Sequence, residues 1–250
     1  MKKLFFFACL LSGFYSHAQF TGGGVTDPSS MDSKKGHTEK SVFRKGYLRL
    51  GLNAPMGHFS ANPDLAMPLY KNVAQSGGMG ASAGAVLEVG HYYYFNKEDE
   101  GPVKYGLDWT IVSVSYNPLS WGEEVESVDA TAAYFFGISS KLGPVVSYSF
   151  AEKGLLSVYA KVAPTVMLGN VDYGYSTDDR NEEFLIDGEA AFGVKANFGV
   201  TVGYGAGSLS LDFDAGSTKM PYYYNNGDIS GNDKEKMPAS SLQLKLGLRF

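Results

Sequence analysis

Three histidines lie outside the apolar leader of this chain, His37, His58 and His91, and they bound the acid–base chemistry open to it. His58 sits in "PMGHFS" with Ser60 two residues on. An imidazole can take a serine proton only when the fold holds both groups in hydrogen-bond reach, and proximity in a loop does not supply that. His91 shares its parity with Val89 and Tyr93, which points to an apolar interface rather than a catalytic pocket. Carboxylates cluster in "STDDRNEEFLIDGE" (Asp178, Asp179, Glu182, Glu183, Asp187) and in "GEEVESVD". Such clusters suit Ca²⁺ or Mg²⁺, but the spacing matches no metal loop, and a solvated charged loop is the plainer reading. Tyr222–Tyr224 in "PYYYNNGD" offer faces for a sugar or a partner, or simply extend a strand. The single cysteine, Cys9, lies in the leader, so thiol and Cys-metal chemistry is not expected of the rest. No glycine-rich phosphate loop joins a strand to a helix. No cofactor is expected.

The charges that do show a pattern are those inside strand-like runs. Arg49, Glu88, Asp108, Lys141, Lys161, Lys195, Asp212, Asp214, Lys245 and Arg249 all fall on one parity of their segments. The opposite parity is apolar. In 46–54 it holds Leu48, Leu50 and Leu52; in 189–204, Phe192, Val194, Ala196, Phe198, Val200 and Val202; in 207–217, Leu209, Leu211 and Phe213. In 154–169 it holds Leu156, Val158, Ala160, Val162, Val166 and Leu168. The closing "SSLQLKLGLRF" repeats the pattern with Leu242, Leu244, Leu246, Leu248 and Phe250. Period 2 is the signature of a strand with two unlike faces.

The elements that must carry these residues follow from the rest of the chain. Lys2 and Lys3, the apolar run Leu4–Leu11 and Ser16-His17-Ala18 read as a secretory signal peptide over 1–18. An acyl anchor on Cys9 is disfavoured by Phe6-Phe7-Ala8 before it. Residues 19–43 are polar and aperiodic, and read as a flexible tail. With Lys2 and Lys3 removed, the 21 basic residues fall to 19 against 26 acidic ones, which argues against a nucleic-acid partner. Strand-like segments are expected at 46–54, 80–95, 104–116, 131–149, 154–169, 189–204, 207–217 and 240–250. The connections at 55–79, 117–130, 170–188 and 218–239 are long, whereas 96–103, 150–153 and 205–206 are short. Gly154, Gly205 and Gly207 are expected to supply positive φ at the tight hairpins. Alternating long and short connections describe an up-and-down barrel. Ten strands result instead if 55–79 hides a hairpin.

A soluble barrel turns its apolar face inward and a membrane barrel turns it outward. On a lipid face each Arg or Lys at the midplane costs about 2–4 kcal/mol, and none falls on the apolar parity. Inside a narrow barrel, six basic and four acidic groups can persist by pairing. The glycines and serines of that parity leave room for their long side chains. Tyr92–Phe95, Tyr148, Phe150 and Phe250 fit an interfacial aromatic girdle. Pro144 and Pro164 fit less well, since each removes a ladder donor, and bulges or strand ends beyond the bilayer are expected there. Ser113, placed on the lipid parity by counting from Leu107, Trp109 and Ile111, is a second misfit.

Together the leader, the eight-segment meander and the terminal "LKLGLRF" resemble bacterial outer-membrane β-barrel proteins, above all small OmpX-like barrels and the OmpA membrane domain. The resemblance covers residues 44–250. It implies an all-β, eight-stranded antiparallel transmembrane barrel in the bacterial outer membrane. It also implies that Leu242, Leu244, Leu246, Leu248 and Phe250 form the signal read by the barrel-insertion machinery. Outer-membrane lipid is the implied partner, with lipopolysaccharide or divalent cations at the acidic loops. The expected role is non-enzymatic: structural, or surface interaction through the long loops. A narrow solute channel and a lipid-modifying enzyme are the alternatives.

Overall fold

A computed structural model describes residues 42–56, 80–96, 101–120, 129–177, 180–225 and 230–250. The chain forms β1 (Gly46–Met56), β2 (Gly80–Ala81), β3 (Gly84–Tyr94), β4 (Val103–Ser120) and β5 (Asp129–Ser149). Then follow β6 (Gly154–Thr177), β7 (Arg180–Tyr204), β8 (Gly207–Asn225), β9 (Ser230–Pro238) and β10 (Ser240–Arg249). Every pairing is antiparallel and runs in the order β1-β3-β4-β5-β6-β7-β8. β10 pairs with β8 on one side and β1 on the other, closing the sheet into an eight-stave barrel. Closure aligns Leu48, Leu50 and Leu52 with Leu248, Leu246 and Leu244. β2 continues the β3 stave beyond a break at Ser82 and Ala83, so the expected 80–95 segment is interrupted. β9 likewise continues the β10 stave beyond Ala239. The ten strand segments therefore make eight staves. Among the described residues, no helix is long and apolar enough to cross a membrane.

Two connections expected to be long loops are largely strand, and a third is shortened. Residues 170–177 pair with 180–187, and 217–225 pair with 230–238. β4 runs to Ser120 and β5 starts at Asp129, which shortens that connection to 121–128. Phe184-Leu185-Ile186 and Tyr222-Tyr223-Tyr224 break the alternation that marks strands between a wet and an apolar phase, and 230–236 is polar on both parities, whereas Val171, Tyr173 and Tyr175 keep it. At 24 residues, β6 follows a path of roughly 80 Å and rises about 60 Å at a tilt of ~40°. An apolar band of about 25 Å takes up less than half of that. The long hairpins therefore extend far past the end opposite the short turns.

At the short-turn end, Gly205 has φ +57° and Gly101 has φ +99°, a region open to glycine at little cost. Gly154 and Gly207 do not adopt positive φ. Gly154 is required for space instead, because a methyl group there would meet the Phe150 ring within 3 Å.

Neither proline marks a bulge or a strand end. Pro144 stays in register with Leu107 of β4, and Pro164 with Val194 of β7. On the seam between β5 and β6 the register is unchanged from Tyr134↔Asn170 to Ser149↔Leu155. The ladder is interrupted where Pro164 faces Ser140 and where Pro144 faces Ala160. Both missing donors point into that one seam. A bulge does occur in β4 between Thr110 and Ser113.

Candidate functional site

The barrel is inverted relative to a soluble protein. Leu50, Val162, Phe192, Leu246 and Phe250 stand exposed on the outside, whereas the polar parity is buried. Inside, one network ties all eight staves together. Glu88 on β3 lies 2.9 Å from Lys141 Nζ on β5 and 2.6 Å from Lys245 Nζ on β10. Asp212 takes the same Lys245 ammonium at 2.8 Å, and Asp214 takes Lys141 at 3.3 Å. Asp108 on β4 accepts from Lys161 Nζ at 2.8 Å. Arg49 on β1 reaches Glu88 at 3.9 Å. It also donates to the Tyr92 hydroxyl, and to Thr201 Oγ1 at 3.2 Å on β7. Four carboxylates thus meet four cations, and the charged side chains are 0–3 % exposed.

Neutral groups complete the shells. The Tyr47 hydroxyl donates to Asp108 and the Tyr159 hydroxyl to Asp212, both at 2.6 Å. Asn197 Nδ2 donates to Asp214 at 2.6 Å, and Gln243 Nε2 donates to Asp214 at 3.0 Å and Asn53 Oδ1 at 3.1 Å. Asn53 Nδ2 in turn donates to Asn117 Oδ1 at 2.7 Å. Short bonds of this kind to ionised groups are roughly twice as strong as neutral ones. They offset the cost of holding charge away from water.

Two of the ten charges noted in the sequence stand apart. Lys195 is half-buried and forms no ion pair within 4.0 Å among the described residues. Arg249 donates instead to the carbonyls of Gly205 at 2.8 Å and Val42 at 3.4 Å. Four groups missed in the sequence belong inside. Lys104, Tyr92 and Tyr94 lie near strand ends on the inner parity, which moves Tyr92 and Tyr94 out of the aromatic girdle. Ser113 is the fourth. The β4 bulge flips it inward, where it is 4 % exposed and donates to Glu88 Oε1 at 3.2 Å.

Apolar and aromatic side chains lie on either side of the network. Phe135, Met167, Ala191 and Met220 are buried on the long-hairpin side. At the other end the chain before β1 folds into the mouth. Phe43 packs edge-on against Tyr94 at 5.6 Å and lies under Lys104 Nζ at 5.5 Å. Val42 and Phe43, expected in the flexible tail, are thus in contact with the barrel. The girdle that does face outward comprises Tyr93, Phe95, Tyr105, Trp109, Tyr148, Phe150, Tyr204 and Phe250.

His91 faces outward with its ring 4.7 Å from Tyr93. His37, His58, Ser60, Asp178 and Asp179 lie outside the described residues, as do the expected signal peptide and most of the expected tail. Glu182, Glu183 and Asp187 lie on β7. Among the described residues, no three His, Cys, Asp or Glu side chains are grouped to hold a metal.

No family model matches the chain, and no curated protein matches it. Among solved structures it is similar to the crystal structure of Ail, the attachment invasion locus protein of Yersinia pestis. There the identity is 14 %, with 83 % of this chain and 99 % of that chain covered and a TM-score of 0.41. It is also similar to the backbone structure of Yersinia pestis Ail in a phospholipid bilayer nanodisc, at 13 % identity, with 83 % and 99 % covered and a TM-score of 0.34. The pairing and polarity of the strands define the fold on their own. The chain is a closed eight-stranded antiparallel up-and-down β-barrel with a polar, ion-paired interior and an apolar exterior, the architecture of small outer-membrane barrels.

Proposed function

We propose that the protein is a non-enzymatic barrel of the bacterial outer membrane, with a sealed lumen and its working surface on the long hairpins. The observation that carries this is the four-against-four charge network. A conducting pore needs charged groups that water reaches, and these are paired across the barrel and almost fully buried. The apolar exterior supports outer-membrane lipid as the surrounding phase, since only a closed barrel or a helix satisfies its backbone there. The outward row Leu242, Leu244, Leu246, Leu248 and Phe250 supports recognition of β10 by the insertion machinery. The staves rising past the apolar band support a structural or surface-interaction role, with the acidic segment 182–187 on one of them. Lipopolysaccharide, or divalent cations bridging it, is the partner that segment suits.

Planar-bilayer recording of the purified protein tests this reading. No discrete conductance steps are expected. Reproducible ohmic steps would replace it with the narrow channel, and lipid turnover lost on changing His58 or His91 would replace it with the enzyme.

A further inference from the structure

We infer that the barrel holds a small anion of halide size at its short-turn end, between Arg49 and Arg249. Three wall positions there are registered side by side: Gly203 on β7 faces Ser208 on β8, which faces Gly247 on β10. Neighbouring strands lie about 4.8 Å apart, so the patch is roughly 10 Å wide. The two glycines let long side chains lie against the wall. A methyl at Gly203 would sit 2.7 Å from Arg249 Nη2 and 2.8 Å from its Nε. A methyl at Gly247 would sit 2.6 Å from Ser208 Oγ and 2.8 Å from Arg49 Cγ. The Arg249 guanidinium, the stem of Arg49 and the Ser208 hydroxyl therefore border one small-residue cradle.

Among the described residues, three polar atoms around this cradle are buried without a hydrogen-bond partner, Arg49 Nε, Arg249 Nε and Ser208 Oγ, while Arg49 Nη1, also without one, faces Glu88 at 3.9 Å. Arg49 is 0 % exposed, Arg249 1 % and Ser208 9 %. The arginine nitrogens can only donate, and the hydroxyl can donate as well, so the group that completes them is an acceptor. Charge selects an anion over a neutral acceptor. The carboxylate nearest Arg49, on Glu88, is 3.9 Å away and already holds two ammonium groups. Arg249 has no carboxylate within 4.0 Å among the described residues. A buried charge persists when it is paired; a monovalent anion here pairs Arg249 and accepts from the free Nε–H of Arg49. The cradle lies at the mouth, where Arg49 and the Val42 and Gly205 carbonyls that hold Arg249 mark its edges.

The test uses the full chain purified in detergent, with bromide as the probe. Crystals grown in sodium bromide are expected to show an anomalous peak in hydrogen-bond reach of Arg49, Arg249 and Ser208. The melting temperature is expected to be about 2–4 °C higher in bromide or chloride than in gluconate at equal ionic strength. Arg249→Gln is expected to abolish both effects. Ser208→Ala, a milder change that keeps both guanidiniums, is expected to shrink the anion-dependent shift while the barrel still folds. Equal melting temperatures in the three salts, an ordered water only at the cradle, or bromide peaks confined to the outer surface would each overturn the inference.

Discussion

Glu88→Gln is the most informative single change in the interior, because Glu88 serves more cations than any other carboxylate. It lies within 2.6–2.9 Å of two ammonium groups and 3.9 Å of Arg49, and accepts from Ser113. The amide matches the carboxylate in shape, so no cavity opens and the loss is electrostatic. Lys141 keeps Asp214 and Lys245 keeps Asp212, while the interior gains one uncompensated positive charge. Removing one partner of a buried pair costs about 3–5 kcal/mol. The retained partners place Glu88→Gln near the lower end, about 3 kcal/mol. Urea unfolding in lipid vesicles, followed by tryptophan fluorescence, measures it. Adding Lys141→Met to Glu88→Gln restores neutrality and is expected to recover at least half of the loss. A cost under about 1 kcal/mol, the range of a solvated surface pair, would refute the reasoning, since it would mean that water already reaches the carboxylate.

Leu244→Arg, on the outer face beside Leu52 and Leu211, is expected to destabilise the barrel by about 2–4 kcal/mol in vesicles if that position lies near the midplane. Ser113→Ala is expected to cost about 1–2 kcal/mol through the lost bond to Glu88; a neutral or stabilising result would put Ser113 back on the lipid side. Pro144→Ala supplies a donor opposite Ala160, and hydrogen exchange is expected to show the new amide at 144 as protected as its ladder neighbours. Fast exchange there would mean that the seam between β5 and β6 is open rather than short of donors.

The alternation of Leu48, Leu50 and Leu52 with Arg49, and of the β10 leucines with Lys245, made both the strands and their two faces legible in the sequence. Apolar residues at every second position, with charged ones between them, fit a two-faced strand and little else. Counting by two fails where a residue is inserted, and for that reason the bulge at Thr110–Ser113 hid the inward turn of Ser113. The prolines were opaque for a related reason. Which neighbour a strand residue's N–H faces depends on register, and only the register shows that Pro144 and Pro164 withhold donors from the same seam. The extensions of β7 and β8 were read as loops because runs such as Phe184-Leu185-Ile186 and Tyr222-Tyr223-Tyr224 break the alternation by two. Pairing across the barrel was likewise invisible: Lys141 finds Asp214 and Lys161 finds Asp108 from staves that are not adjacent. Lys195, on the same parity, finds no carboxylate within 4.0 Å among the described residues.

The central claim is an apolar wall against lipid around an interior closed to water, and β10 reports on both sides at once. The one cysteine, Cys9, lies in the segment read as a signal peptide, and with Cys9 changed to serine, single cysteines placed along 242–249 can each carry a nitroxide label. Collision with oxygen, which partitions into lipid, is compared with collision with a water-soluble nickel complex in vesicles. The structure predicts oxygen access at 242, 244, 246 and 248 and little access to either reagent at 243, 245, 247 and 249. Nickel access at the even positions would contradict the lipid-facing wall, and nickel access at the odd positions would contradict the sealed interior.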